Sequence, residues 1–279
     1  MIGAALLALE RLLLPNSCVS CGRVVVPSEP DALVCAQCYA RLRAVPAGCA
    51  RCWQPLPPVG PCRFCADWPE AFEWVRSAVW LGDEARDIVH HLKYQAYTLL
   101  ADVIADKMQR LAKPAGRLIL VPVPLSQKRL RVRGYNQAEA IARALAARWK
   151  CEVDSDVLVR IRDTKSQTKL TPDERGANVG GAFCAAPPPT SPRLGGEGGE
   201  EGEERLDQGI SPSPPSSSSP STSVTEPPKP TSIILVDDVL TTGATLVAAA
   251  SALQDAGWSS VGAVTFARAL PFVVRVETT

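Results

Sequence analysis

Apolar positions in this chain fall into two patterns that alternate. Residues 118–123, 233–236 and 261–266 are nearly continuous apolar runs and predict strands. The run at 233–236 is apolar at every position, as expected of a strand covered on both faces. Shorter strand-like runs occupy 77–81 and 157–161. Between them lie stretches with helical spacing. Residues 85–111 place Ile88, Leu92, Leu99, Leu100, Val103 and Ile104 at apolar positions, and 136–149 place Ala140, Ile141, Ala144 and Leu145 on one face. A third helix, 244–256, is closed by Gly257. Strands alternating with helices predict an α/β domain built on a mostly parallel sheet with flanking helices.

Two regions interrupt that alternation. Residues 1–70 are rich in cysteine, proline and arginine, with one short amphipathic helix expected at 6–14, stopped by Pro15. Residues 185–230 are a low-complexity tract that includes GGEGGEEGEE and SPSPPSSSSPSTS, with seven acids against three bases. Such composition buries too little apolar surface to offset its ordering entropy, so a disordered acidic insert, dispensable for folding, is expected. The domain reading is therefore 1–70 for a small N-terminal module and 71–279 for the α/β domain, interrupted at about 185–230.

Composition narrows the class. The chain has 279 residues, 46% hydrophobic and 21% charged, with net charge +1. No whole-chain field favours nucleic acid, so any basic patch must be local. No segment is long and apolar enough to predict a membrane span, and the N-terminus lacks the basic region of an export signal. The expectation is a cytoplasmic protein whose thiols stay reduced.

Ten cysteines then acquire meaning. Eight form four Cys-x-x-Cys pairs: Cys18 with Cys21, Cys35 with Cys38, Cys49 with Cys52, and Cys62 with Cys65. Each pair turns two thiolates toward one point, and two pairs complete a tetrahedral shell. The alternatives are a redox dithiol or ordinary buried cysteines. A redox pair normally occurs once, at the start of a helix in a βα unit, which is not the setting here. Two structural zinc sites are expected. Sequential pairing is the simplest arrangement, and cross-bracing or a single occupied site stays open. Cys151 and Cys184 lack ligand-type neighbours and read as small apolar residues. No role is assigned to His90 and His91.

The strand at 233–236 runs into Asp237 and Asp238, then Val239, Leu240, Thr241, Thr242, Gly243, Ala244 and Thr245. A buried strand ending in two acids, followed by a threonine-glycine loop opening a helix, offers sugar-diol acceptors beside a phosphate cradle. Gly243 permits a close approach that a side chain would block. The plainer readings are a polar strand end with a threonine helix cap, or the acid pocket of a receiver domain. In the latter, the pair falls near the domain's start and the loop differs. The two adjacent carboxylates have no cationic partner in the local sequence.

This segment resembles the signature of type I phosphoribosyltransferases. The stretch Val121-Pro-Val-Pro-Leu-Ser-Gln-Lys-Arg-Leu-Arg-Val-Arg-Gly-Tyr-Asn-Gln137, the stretch 162–178 leading to Gly180-Gly-Ala-Phe183, and the N-terminal cysteine pairs extend the likeness. Together they resemble the ComF family of competence proteins, over nearly the whole chain except the insert. The resemblance implies a type I phosphoribosyltransferase-like fold behind a zinc-ribbon module. It implies that Asp237 and Asp238 hold the ribose of phosphoribosyl pyrophosphate, with magnesium, and that Thr241, Thr242, Gly243, Ala244 and Thr245 hold its 5-phosphate. It also implies a link to uptake or use of external DNA, with competence-machinery proteins as partners. The insert departs from the family pattern by separating Phe183 from the signature strand.

Lys128, Arg129, Arg131 and Arg133 form an acid-free cationic run, and Lys165, Lys169 and Arg175 mark a second. One reading is a solvated surface. The other is pyrophosphate binding, since that leaving group needs cations. By position the first run, with Lys128 and Arg129, resembles the family's pyrophosphate loop and the second its mobile catalytic loop. The reaction so implied is a phosphoribosyl transfer to an acceptor that no residue identifies. The competing reading is a binding module, in which cations and aromatics such as Arg133 and Tyr135 hold single-stranded DNA.

Overall fold

A five-stranded sheet forms the centre of the computed structural model, which describes residues 16–26, 29, 31–57, 60–163, 180–188 and 232–270. Its strands are β1 (Phe72–Trp80), β2 (Leu118–Pro122), β3 (Glu152–Val153), β6 (Ser232–Leu240) and β7 (Val261–Arg268), in the order β1-β7-β6-β2-β3. Every pairing is parallel. All positions of β2 and β7 are buried, as two covered faces demand. A separate antiparallel pair joins β4 (Leu158–Arg160) to β5 (Phe183–Ala185).

The helices are α1 (Ala36–Arg41), α2 (Asp83–Tyr94), α3 (Leu100–Met108), α4 (Gln127–Arg133), α5 (Gln137–Trp149) and α6 (Ala244–Asp255). The chain leaves β2 through α4 and α5 to reach β3 on one side, and leaves β6 through α6 to reach β7 on the other. Crossovers of one hand running in opposite directions put their helices on opposite faces. Accordingly Ile141 and Leu145 of α5 share a core with Leu120, Ile234 and Val236, together with Ile88 of α2 and Ile104 of α3. Leu246, Ala249 and Leu253 of α6 share the other core with Val121, Ile233 and Leu235. The crevice between the ends of β2 and β6 is thus the switch point where such sheets take ligands.

The cysteine module packs on both sides of this sheet. Cys18, Cys35 and Cys38 belong to the core of the α2, α3 and α5 face, and Cys52 and Cys65 to the core beneath α6. The outer edge of β1 is covered by the module too: the Val45 N–H donates to the Ala78 carbonyl at 3.2 Å, and the Trp80 N–H to the Arg43 carbonyl at 2.9 Å.

The expected α/β architecture is the one observed, with four differences of detail. The helical stretch 85–111 is two helices, separated where Ala96 adopts the left-handed φ of 57°. The first strand begins at Phe72 rather than residue 77, because its ladder with β7 starts at Phe72↔Val261. The first cationic loop, after β2, is a helix: the Ser126 hydroxyl accepts from the Arg129 N–H, and Gly134 at φ 82° ends the turn. Asp237 and Asp238 lie within β6 rather than beyond it, since the β6–β7 ladder continues through Asp237↔Thr265 to Leu240↔Arg268. The expected helix at 6–14, the cationic stretch with Lys165, Lys169 and Arg175, and nearly all of the 185–230 insert lie outside the described residues.

Candidate functional site

The eight paired cysteines form two clusters in sequential order. Cys18, Cys21, Cys35 and Cys38 make one, and Cys49, Cys52, Cys62 and Cys65 the other, with all sulfurs of a cluster within 4.8 Å of one another. A zinc–sulfur bond of about 2.3 Å in a tetrahedron puts sulfurs about 3.8 Å apart. Cys21 and Cys35 stand at 3.7 Å, Cys49 and Cys65 at 3.7 Å, and Cys52 and Cys62 at 3.6 Å. Backbone N–H groups point at sulfur as knuckle turns require, from Cys35 to Cys18 at 3.4 Å and from Gln54 to Cys52 at 3.4 Å. Each cluster could therefore hold one zinc, and the cross-braced pairing is not the one formed.

At the switch point lies a cavity of about 410 Å³. Its floor comes from β6, where Asp237 and Asp238 sit, and from the end of β2 at Val123 and Pro124. Its far wall is α2, through His90, Lys93 and Tyr94. Residues 241–245 enter it through Thr241, Gly243, Ala244 and Thr245. Thr242 is not among the lining residues; its hydroxyl faces the Ala244 N–H at 3.5 Å, within the loop. Gly243 adopts φ 82° as the N-cap of α6, a conformation costly for any side chain.

The two acids have different surroundings. Asp238 is 2% exposed and doubly engaged: its Oδ1 accepts from Gln137 Nε2 at 3.0 Å and its Oδ2 is ion-paired with Lys93. The local sequence indeed offers no cationic partner; the partner comes from α2, remote in sequence. Burial alone would raise the Asp238 carboxyl; the Lys93 ammonium and the Gln137 amide outweigh it and hold the group below its usual range. Asp237 accepts the Asp238 N–H at 2.8 Å. Burial, then the adjacent Asp238 charge, push it up to about 8. Asp238 is held toward the anion, and burial beside it pushes Asp237 toward the protonated form.

The network extends to the cationic helix. Asn136 caps α5 and donates to the Val123 carbonyl at 3.1 Å, which fixes Gln137 at the end of β2. Arg133 donates to Gln137 Oε1 and lies over the Tyr94 ring at 5.2 Å. Arg129, Arg133 and Arg160 line the cavity, whereas Lys128 and Arg131 do not. Arg133 stacks on Tyr94 and not on Tyr135, whose hydroxyl is buried. Lys93, Gln137 and Arg160 were not legible as site residues. Only the spacing that puts Lys93 one position past the buried stripe of α2 hints at its direction.

Residues 132–270, about half of the chain, match the phosphoribosyl transferase domain family. The DNA utilization protein YhgH of Salmonella typhimurium is 27% identical over 158 residues, covering 54% of this chain and 70% of that protein. YhgH of Escherichia coli strain K12 is 25% identical over 158 residues with the same coverage. The competence protein ComFC of Bacillus subtilis is 27% identical over 127 residues, covering 42% of this chain and 53% of that protein. Among the described residues no helix is long and apolar enough to cross a membrane. A phosphoribosyl transferase domain, two N-terminal four-cysteine clusters and this set of relatives place the chain among the ComF-type proteins.

Proposed function

We propose that this protein binds phosphoribosyl pyrophosphate in the switch-point cavity and acts in the cytoplasm in the uptake or use of external DNA. The observation that carries the reading is the convergence of Asp237, the left-handed Gly243 loop and four arginines, Arg86, Arg129, Arg133 and Arg160, on one cavity. Asp237 would accept from the ribose hydroxyls, and Thr241, Gly243, Ala244 and Thr245 would receive the 5-phosphate through amides and hydroxyls. Asp238 contributes by holding Lys93 and Gln137 in place, not by meeting the sugar directly. Thr242 shapes the loop. Arg129, Arg133 and Arg160 face the side where pyrophosphate would lie, and Lys128 belongs to the outer surface. The DNA link is supported by the names of YhgH and ComFC.

Magnesium would accompany the ligand on its pyrophosphate oxygens. Because Lys93 already pairs with Asp238, the ligand rather than both carboxylates would supply most of the magnesium's oxygens. Under the catalytic form of this reading, a glycosyltransferase, an acceptor attacks the anomeric carbon as pyrophosphate leaves. Lys165, Lys169 and Arg175, by their resemblance to the family's catalytic loop, would serve that step. Structural zinc in both cysteine clusters and a division near residue 70 between module and transferase domain complete the reading. Calorimetry with phosphoribosyl pyrophosphate and magnesium tests it: saturable binding is expected, and no heat at millimolar ligand defeats it.

A second reading has its own support. No residue of α4 is buried, and Val132 on it is 85% exposed beside Lys128 and Arg131, which do not line the cavity. That face suits single-stranded DNA, and competence-machinery proteins would act with the chain on it. Affinity that falls steeply with salt is the expected signature.

A further inference from the structure

The second cysteine cluster stands directly against the loop that opens α6. Phe64 lies between Cys62 and Cys65, and Trp68 follows shortly after. Their rings meet edge to face with centroids 5.8 Å apart, and Trp68 stacks on Phe72 of β1 at 4.6 Å. A methyl group placed on Gly243 would lie 3.6 Å from Trp68 Cζ2 and 3.7 Å from Phe64 Cζ. Together with Leu240 Cδ1 at 3.7 Å, the two rings border the space beside Gly243 that a side chain would otherwise fill.

That aromatic border is fastened from both ends. From the sheet, Arg268 at the end of β7, 1% exposed, donates to the Cys52 carbonyl at 2.6 Å and to Gln54 Oε1 at 2.6 Å, and it lies 4.8 Å over the Phe64 ring. From inside the knuckle, Arg51 donates to the carbonyls of Cys65 at 3.1 Å, Pro69 at 2.6 Å and Phe72 at 2.8 Å. The first cluster packs on the opposite face of the sheet, with Val34 in its core.

We propose that Phe64 and Trp68 are positioning residues of the loop at residues 241–245, and that a metal ion in the second cluster sets the loop's affinity for phosphate by fixing the knuckle that carries them. The inference rests on the reading of this loop as the phosphate cradle. Its physical basis is preorganisation. An anion site made of backbone amides works only while those amides converge, and Gly243 has no side chain of its own to hold it there. A rigid aromatic border removes the alternative loop conformations before the ligand arrives, so binding does not have to order them. Without the metal, the turn between Cys62 and Cys65 loses its closure and Phe64 loses its fixed place beside the glycine.

The test uses the full-length zinc-loaded protein and the variants Trp68→Ala, Phe64→Leu and Cys62→Ser. Val34→Ala serves as the control on the opposite face. Amide hydrogen exchange at residues 241–246 is measured without ligand, and calorimetry then follows ribose 5-phosphate. Exchange is expected to rise, and ribose 5-phosphate affinity to fall, by about ten-fold in the first three variants, with Val34→Ala unchanged at this segment. If Trp68→Ala fails to fold, Phe64→Leu carries the aromatic arm alone. Unchanged exchange in the folded aromatic and cysteine variants overturns the proposal, as does an equal rise in Val34→Ala. Wild-type protein that does not bind ribose 5-phosphate defeats the phosphate reading itself, whereas the exchange data judge the aromatic border independently.

Discussion

Lys93 on α2 is ion-paired with Asp238 on β6, and the carboxylate it meets is almost wholly buried. Two elements far apart in sequence thereby share one charge balance at the base of the cavity. Lys93→Met should leave a buried, uncompensated carboxylate and cost about 3 kcal/mol of stability. Adding Asp238→Asn to that variant should recover most of the loss, because no charge then remains unpaired. Urea unfolding of the two single variants and the double variant reads the coupling directly.

Asp237 predicts a pH dependence of the opposite sign from its neighbour. Its folded-state value near 8 lies above the unfolded value, so the folded state holds the proton more tightly. Its contribution to stability is fully present below the unfolded carboxyl range and is lost as pH rises through about 8. Asp237→Asn removes that loss. Melting temperatures of variant and wild type should diverge between pH 5 and pH 9, the variant gaining, with Asp238 and Lys93 unchanged on either side. Curves that stay parallel would mean Asp237 ionises normally.

The cationic helix separates into two pairs. Arg129→Ala with Arg133→Ala removes charges that line the cavity and should weaken pyrophosphate binding by about 2 kcal/mol or more. Lys128→Ala with Arg131→Ala should leave pyrophosphate binding intact and reduce the salt dependence of single-stranded DNA binding. Calorimetry for the first ligand and fluorescence anisotropy across a salt series for the second measure both. Stability should change little in the outer pair, since exposed charges contribute little to folding.

Elemental analysis of the purified protein should find about two zinc ions per chain, one for each cluster. Chelation should lower the melting temperature, because cysteines of both clusters sit in the two cores of the sheet. A metal-free protein with an unchanged melting transition would make these thiols ordinary core residues.

The features legible in the sequence are those encoded locally. Cys-x-x-Cys turns, the continuous apolar run before Asp237 and the glycine of the following loop each declare themselves within a few residues. Which two pairs share a cluster was not legible, because a Cys-x-x-Cys turn fixes its own two thiols and not the pair they meet. The partners of Asp238 were not legible, because Lys93 and Gln137 reach it from two different helices and nothing in their own surroundings marks them. Periodicity also misread α4. A helix with no buried face has no apolar stripe to show, and Arg-Leu-Arg-Val-Arg alternates like a surface loop or strand. The break between α2 and α3 hid behind Leu99 and Leu100, which keep helical spacing across a turn that the backbone does not keep.

Within the five-stranded sheet β1 pairs with β7 alone, although β7 is the last strand of that sheet to be made. During synthesis the first strand must therefore wait, with its inner edge unsatisfied, until residues 261–268 leave the ribosome. The module lying against the other edge of β1 would hold the strand extended in the meantime and leave it one side on which to pair. Metal loading early in translation would then protect a nascent chain from aggregation, and its cost when zinc is scarce would show in folding yield before it shows in the finished protein.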